Sequence, residues 1–162
     1  NTGFLVNRWH KELHLNPGYP WCIIFLQAVI REASLALGMP DLLPIDTASS
    51  QKLADEAENA GLATINYLEA DRGSVMIYRN GTTPYGHGVI LTDVRPRSYD
   101  CVGGNTSSEM SRDGGDVGLH RDIPWARYGP IGSERKGKSR WTRCIIPVSR
   151  LYTTYWVDGS GR

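Results

Sequence analysis

Asn16-Pro17-Gly18-Tyr19-Pro20-Trp21-Cys22-Ile23-Ile24-Phe25-Leu26 is the stretch on which the reading of this chain turns. Two prolines and a glycine within five residues cannot continue a helix, so the chain enters its next element through an ordered loop. From Trp21 to Leu37 the residues are good helix formers, apolar nearly all round over the first two turns, with Gly38 and Pro40 placed to end the run. The pattern predicts a buried central helix with a thiol on its first turn.

Working outward, Leu5, Trp9 and Leu13 recur at i, i+4, i+8 within residues 4–14, a short amphipathic helix after Thr2. Downstream, residues 47–60 read as a third helix, capped by Asp46 or Thr47 and closed by Gly61, with Leu53, Ala57 and Ala60 on one face. Beyond Gly61 the period changes from helical to alternating. Ser74–Tyr78, His87–Val94, Tyr99–Val102 and Thr142–Val148 form short β-rich runs separated by turn residues. Helices first and an antiparallel sheet second predict an α+β fold, N-terminal helices packed on a C-terminal sheet.

With 162 residues, 40% hydrophobic and 22% charged, the chain has the length and composition of one globular unit, 1–162. The absence of an initiator Met at Asn1 suggests a domain of a larger protein, and no secretory signal is read at this end. The longest apolar stretch, Trp21–Ile30, is half the roughly 20 residues a spanning helix needs. Net charge is +1, too balanced for nucleic acid as a partner. The charge is nonetheless uneven: residues 41–71 carry seven acids against Lys52 alone, and residues 112–162 carry ten bases against five acids. A basic group such as Arg135, Lys136, Lys138 and Arg140 reads first as a solvated loop. A monomer is expected.

Cys22, Cys101 and Cys144 cannot all pair, and their spacing fits neither a redox C-x-x-C nor a zinc ribbon. Cys101 and Cys144 lie in apolar strands, where cysteine behaves as a small hydrophobe. Cys22 has two readings: an ordinary buried cysteine, or a thiol whose thiolate is stabilised by the free N–H groups and positive end of a helix. His87, in Tyr85-Gly86-His87-Gly88-Val89, opens a strand between glycines that let backbone or substrate approach closely. Alone it reads equally as a turn histidine; beside a helix-start cysteine it becomes the base of a thiol nucleophile. Counting by two from Tyr99 puts Cys101, Gly103 and Asn105 on one strand face, and Asn105 could orient an imidazole, as a Cys-His-Asn site requires, or simply hold a glycine-rich turn.

Pro20-Trp21-Cys22 opening a helix, Gly86-His87-Gly88-Val89-Ile90, and Val102-Gly103-Gly104-Asn105-Thr106 together resemble the CHAP family, the cysteine, histidine-dependent amidohydrolases/peptidases related to the NlpC-type papain-like peptidases. The resemblance spans roughly residues 18–121 and is nearest the phage-associated type, with Gly118-Leu119-His120-Arg121 as its later basic segment. It implies a papain-like fold, hydrolysis of an amide bond in bacterial peptidoglycan by an amidase or endopeptidase, and no cofactor. It implies a setting at the cell wall, as a phage lysin, a phage tail component or a secreted bacterial protein. On this match Cys22 is the nucleophile, His87 the base and Asn105 the strand-end partner, with Tyr19 and the Cys22 N–H as oxyanion donors. One departure stands out: many members carry Glu two residues before that Asn, and here the position is Gly103. The rival reading that Gly103 supports is a non-catalytic wall-binding or structural module with a decayed site.

No metal site is expected. The calcium run some members carry before the cysteine is missing, since residues 11–21 offer only Glu12. His10-Lys11-Glu12-Leu13-His14 puts two histidines on one predicted helical face but has its Glu one place late for a zinc protease. Trp125, Tyr128 and Tyr155 read as core aromatics or the wall of a sugar-contacting groove.

Overall fold

The computed structural model describes residues 3–106, 115–134 and 139–157, with side chains to 152. Three helices come first: α1 (Phe4–Glu12), α2 (Cys22–Ala36) and α3 (Ser50–Asn59). Five strands follow, β1 (Val75–Asn80), β2 (Gly86–Val94), β3 (Ser98–Thr106), β4 (Asp116–Pro124) and β5 (Arg140–Ile146), and then α4 (Val148–Val157). The strands form one antiparallel sheet in the order β4-β3-β2-β1-β5. The fold is α+β, as the helix-then-strand order predicts.

Three details differ from the sequence reading. The cap of α3 is Ser49, whose hydroxyl accepts from the Lys52 N–H at 3.2 Å, while Thr47 instead accepts from the Ser49 N–H at 3.0 Å. Capping needs an oxygen three residues ahead of a free N–H, and Ser49 has that spacing for the helix that forms. Val148 leaves the sheet after Pro147 and opens α4. Strand β4 was not expected, because it lies within a Gly/Ser/charged stretch and only Val117, Leu119 and Ile123 among its residues are apolar; six of its nine residues are exposed.

Both faces of the sheet are covered, and successive strand residues divide between them. Val75, Ile77, Ile90, Cys144 and Ile146 pack with Cys22, Ile23 and Leu26 of α2, Leu53 of α3 and Leu151 of α4. Met76, Tyr78, Val89, Leu91, Cys101 and Ile145 form a second buried cluster with Ile123, backed by Trp125, Tyr128 and Ile131 of the segment after β4. Double coverage explains why Val75–Tyr78 is a continuous apolar run instead of an alternating one. A third cluster, Leu13, Trp21, Ile24 and Phe25, ties the α1–α2 connection to the start of α2, with Trp9 against Trp21 and Phe25 at ring separations of 6.3 and 6.0 Å.

Candidate functional site

Cys22 is the first residue of α2 and is 3% exposed. Its helix has no side-chain cap at Trp21, so the first-turn N–H groups have no side-chain acceptor there. Those groups and the helix dipole favour negative charge beside the sulfur. Cys22 lines a cavity of about 580 Å³ whose wall also includes His14, Tyr19, Ser50, Lys52 and Gly86. Ser50 begins α3, so two helix N-termini open onto one space. Tyr19 is half exposed in this wall, close in sequence to the thiol it was predicted to serve.

His87 lies elsewhere. A side chain at Gly88 would run into Ile23 and Leu26 of α2, at 2.6 Å from each, so position 88 faces the helices and its neighbour 87 faces away. The register agrees: His87 pairs with Tyr78, and Tyr78 and Val89 belong to the cluster on the far face. On β3 the same alternation holds. A Cβ at Gly104 would meet Trp21 and Phe25, whereas one at Gly103 would stand 3.0 Å from His87 Nε2 and 3.1 Å from Val89 Cγ1. His87 and position 103 therefore share the face opposite α2, and Cys22 and Gly86 share the near side.

The imidazole is fully buried, and neither ring nitrogen has a hydrogen-bond partner among the described residues. It therefore bonds neither to Cys22 nor to Asn105. Burial pushes its pKa down from 6.5 to about 3, assisted by the Arg140 guanidinium and by His120. Asn105 is also fully buried, on β3, with a left-handed backbone (φ 53°). Asparagine is among the few residues that adopt this conformation readily, which gives a backbone reason for Asn in the Gly103-Gly104-Asn105-Thr106 run. The structure brings Cys22 and Tyr19 to one cavity and His87 and position 103 to one sheet face; it does not bring the two groups together.

Position 103 has little room for a side chain. Its φ lies outside the left-handed region, so the backbone accepts a side chain, but any Cβ would press on the imidazole and on Val89. The two histidines expected on one helical face, His10 and His14, also part company, because α1 ends at Glu12. His10 is buried with its ring hydrogen-bonded to the Val6 carbonyl at 2.7 Å, and His14 is exposed beyond the helix with φ 53°. Among the described residues no group of three or more His, Cys, Asp or Glu side chains is arranged to hold a metal.

The remaining cysteines are interior groups: burial pushes the Cys101 and Cys144 thiols up to about 12. Trp125 stacks on Tyr99 at 4.6 Å and Tyr67 at 5.4 Å and donates to the Arg95 carbonyl at 2.9 Å. Tyr128 packs on Tyr78 at 5.1 Å, with Arg140 above both rings. The side chain of Tyr155 lies outside the described residues, as do Arg135, Lys136 and Lys138. No helix of the described residues is long and apolar enough to cross a membrane.

Sequence reasoning missed His14, Ser50 and Lys52 as cavity residues. The Ser49-Ser50 pair ahead of Leu53 was a usable cap signal; nothing in the sequence aimed the Leu13–Pro20 loop at the start of α2. In comparisons with family models, curated proteins and solved structures, nothing matches this chain.

Proposed function

We propose that the chain is a cysteine-dependent hydrolase of amide bonds in bacterial peptidoglycan, an amidase or endopeptidase with a papain-like arrangement of helix and sheet. The observation that carries this reading is Cys22 on the first turn of α2, lining a cavity of about 580 Å³. The three short motifs around Cys22, His87 and Asn105 that resemble the CHAP family supply the substrate class.

In this reading the Cys22 thiolate attacks the amide carbonyl. The N–H groups at the start of α2 and the Tyr19 hydroxyl take the oxyanion, the amine leaves, and water hydrolyses the thioester. An imidazole must accept the thiol proton and pass it to the leaving amine. For His87 to do so, its ring would have to move from the far sheet face to the cavity side. Incubating the purified protein with purified peptidoglycan, and following new amino groups and the masses of released fragments, tests the reading. Release by the wild type and none by Cys22→Ser supports it; no release by either overturns it.

A second reading is favoured by the burial of His87 away from Cys22: a wall-binding module of a phage tail or secreted protein, without catalysis. It is supported if the protein co-sediments with peptidoglycan and releases nothing.

A further inference from the structure

Cys22 lines a cavity whose wall does not include His87 but does include another histidine. His14 is an exposed wall residue of the same cavity. Its position is built by the residues on either side. Leu13, 2% exposed, belongs to the buried cluster of Trp21, Ile24 and Phe25, and Leu15 packs against that cluster too. Trp21 immediately precedes Cys22. The loop from Leu13 to Pro20 is thus fastened at its start to the same residues that begin α2, and His14 and Cys22 stand one residue away from two members of a single packed cluster.

The backbone at His14 turns sharply between these anchors. Its φ is 53°, its N–H donates to the Lys11 carbonyl at 3.1 Å, and the Leu15 N–H reaches back to the His10 carbonyl at 2.8 Å. A left-handed conformation in a residue other than glycine costs roughly 1 kcal/mol or more and persists only where its surroundings impose it. Here both neighbours point into the apolar cluster, and the turn sends the histidine to the cavity wall instead. His10, the other histidine of α1, is buried and bonded to Val6, so it is not a competitor.

We propose that His14 is the imidazole that serves Cys22. This rests on the thiol-hydrolase reading above and deepens it by replacing the strand histidine with one from the loop before α2. His14 takes the proton from the Cys22 thiol as sulfur bonds to the amide carbon. The imidazolium then donates that proton to the nitrogen as the C–N bond breaks. In the second half His14 removes a proton from water, hydroxide oxygen bonds to the thioester carbon, and the thiol regains its proton as the C–S bond breaks. No oxidant, metal or second substrate enters.

The test is alkylation of Cys22 by iodoacetamide, located by peptide mass, at intervals from pH 5 to 8 on the intact chain, with peptidoglycan release measured alongside. His14→Asn keeps a residue suited to φ 53° and removes the base. His14→Gln removes it with a longer side chain. Wild-type Cys22 is expected to react faster at pH 6 than Cys101 and Cys144, and each variant to lose at least about tenfold of that rate and about 100-fold or more of peptidoglycan release. Retention of both the rate and its pH profile in His14→Asn and His14→Gln overturns the assignment of His14 while leaving the hydrolase reading intact. A wild type with no selective Cys22 reactivity and no release overturns the hydrolase reading itself.

Discussion

Position 103 lies against the imidazole of His87: a Cβ built on Gly103 would stand 3.0 Å from Nε2 and 3.1 Å from Val89 Cγ1. The glycine is a packing requirement of a buried histidine, which has no slack on that side. Gly103→Ala is expected to cost about 1–3 kcal/mol, the range for overfilling a packed interior, although alanine suits a strand better than glycine. Gly103→Glu should cost more, since it adds a carboxylate to the same space. Urea denaturation of both variants checks this, and an Ala variant as stable as the wild type would show that the ring moves aside freely.

His87 should make the protein acid-sensitive. Its pKa is held near 3 in the folded chain against an ordinary value of 6.5, so below pH 6.5 the unfolded chain takes up the proton first. Stability is unaffected by this group above that pH and is lost progressively as pH falls towards 3. Between pH 7 and 4.5 the loss is about 2–3 kcal/mol from this residue alone. Urea midpoints at the two pH values, compared between the wild type and His87→Gln, isolate the contribution. An equal decline in both would assign it to other groups.

Cys22→Ser should abolish peptidoglycan release, by at least about 1000-fold, because a hydroxyl at the helix start is a far poorer nucleophile. The exchange is nearly isosteric and the residue lies at the cavity wall, so melting temperature should fall by only a few degrees. Turbidity loss and fragment masses measure the first, calorimetry the second.

The three thiols should label in a fixed order. Burial raises Cys101 and Cys144 to about 12, leaving almost no thiolate at neutral pH, while Cys22 lines the cavity at the positive end of α2. Iodoacetamide at pH 7.5 should modify Cys22 first and the other two only after denaturant is added, as peptide mass mapping would show. Simultaneous labelling of all three in the native protein would contradict the burial of β3 and β5.

Asn105 can be tested through its backbone. With φ 53°, Asn105→Gly keeps the conformation and Asn105→Ala strains it, so glycine should be the more stable of the two by about 1 kcal/mol. Thermal melts of the pair decide it; alanine equal to glycine would mean that the residue is held by side-chain contacts alone.

The central helix, its start at Cys22 after two prolines and its stop near Gly38 were legible from sequence because proline, glycine and apolar runs act locally. The order of helices and strands and the pairing of Gly103 with the His87 face were legible for the same reason, since alternation along a strand is set by backbone geometry, whereas the sequence showed only that the three cysteines cannot all pair. Alternation states that positions 87 and 88 face opposite ways without stating which way the helices lie. Only packing decided that, when Ile23 and Leu26 closed over Gly88, where no side chain intervenes, and left His87 with Tyr78 on the far side. The placement of His14 in the Cys22 cavity was likewise tertiary, since it depends on Leu13 docking against the cluster that holds Trp21. Local sequence determines each residue's neighbours along its own element; which residues of separate elements face one cavity is set by the burial that brings those elements together.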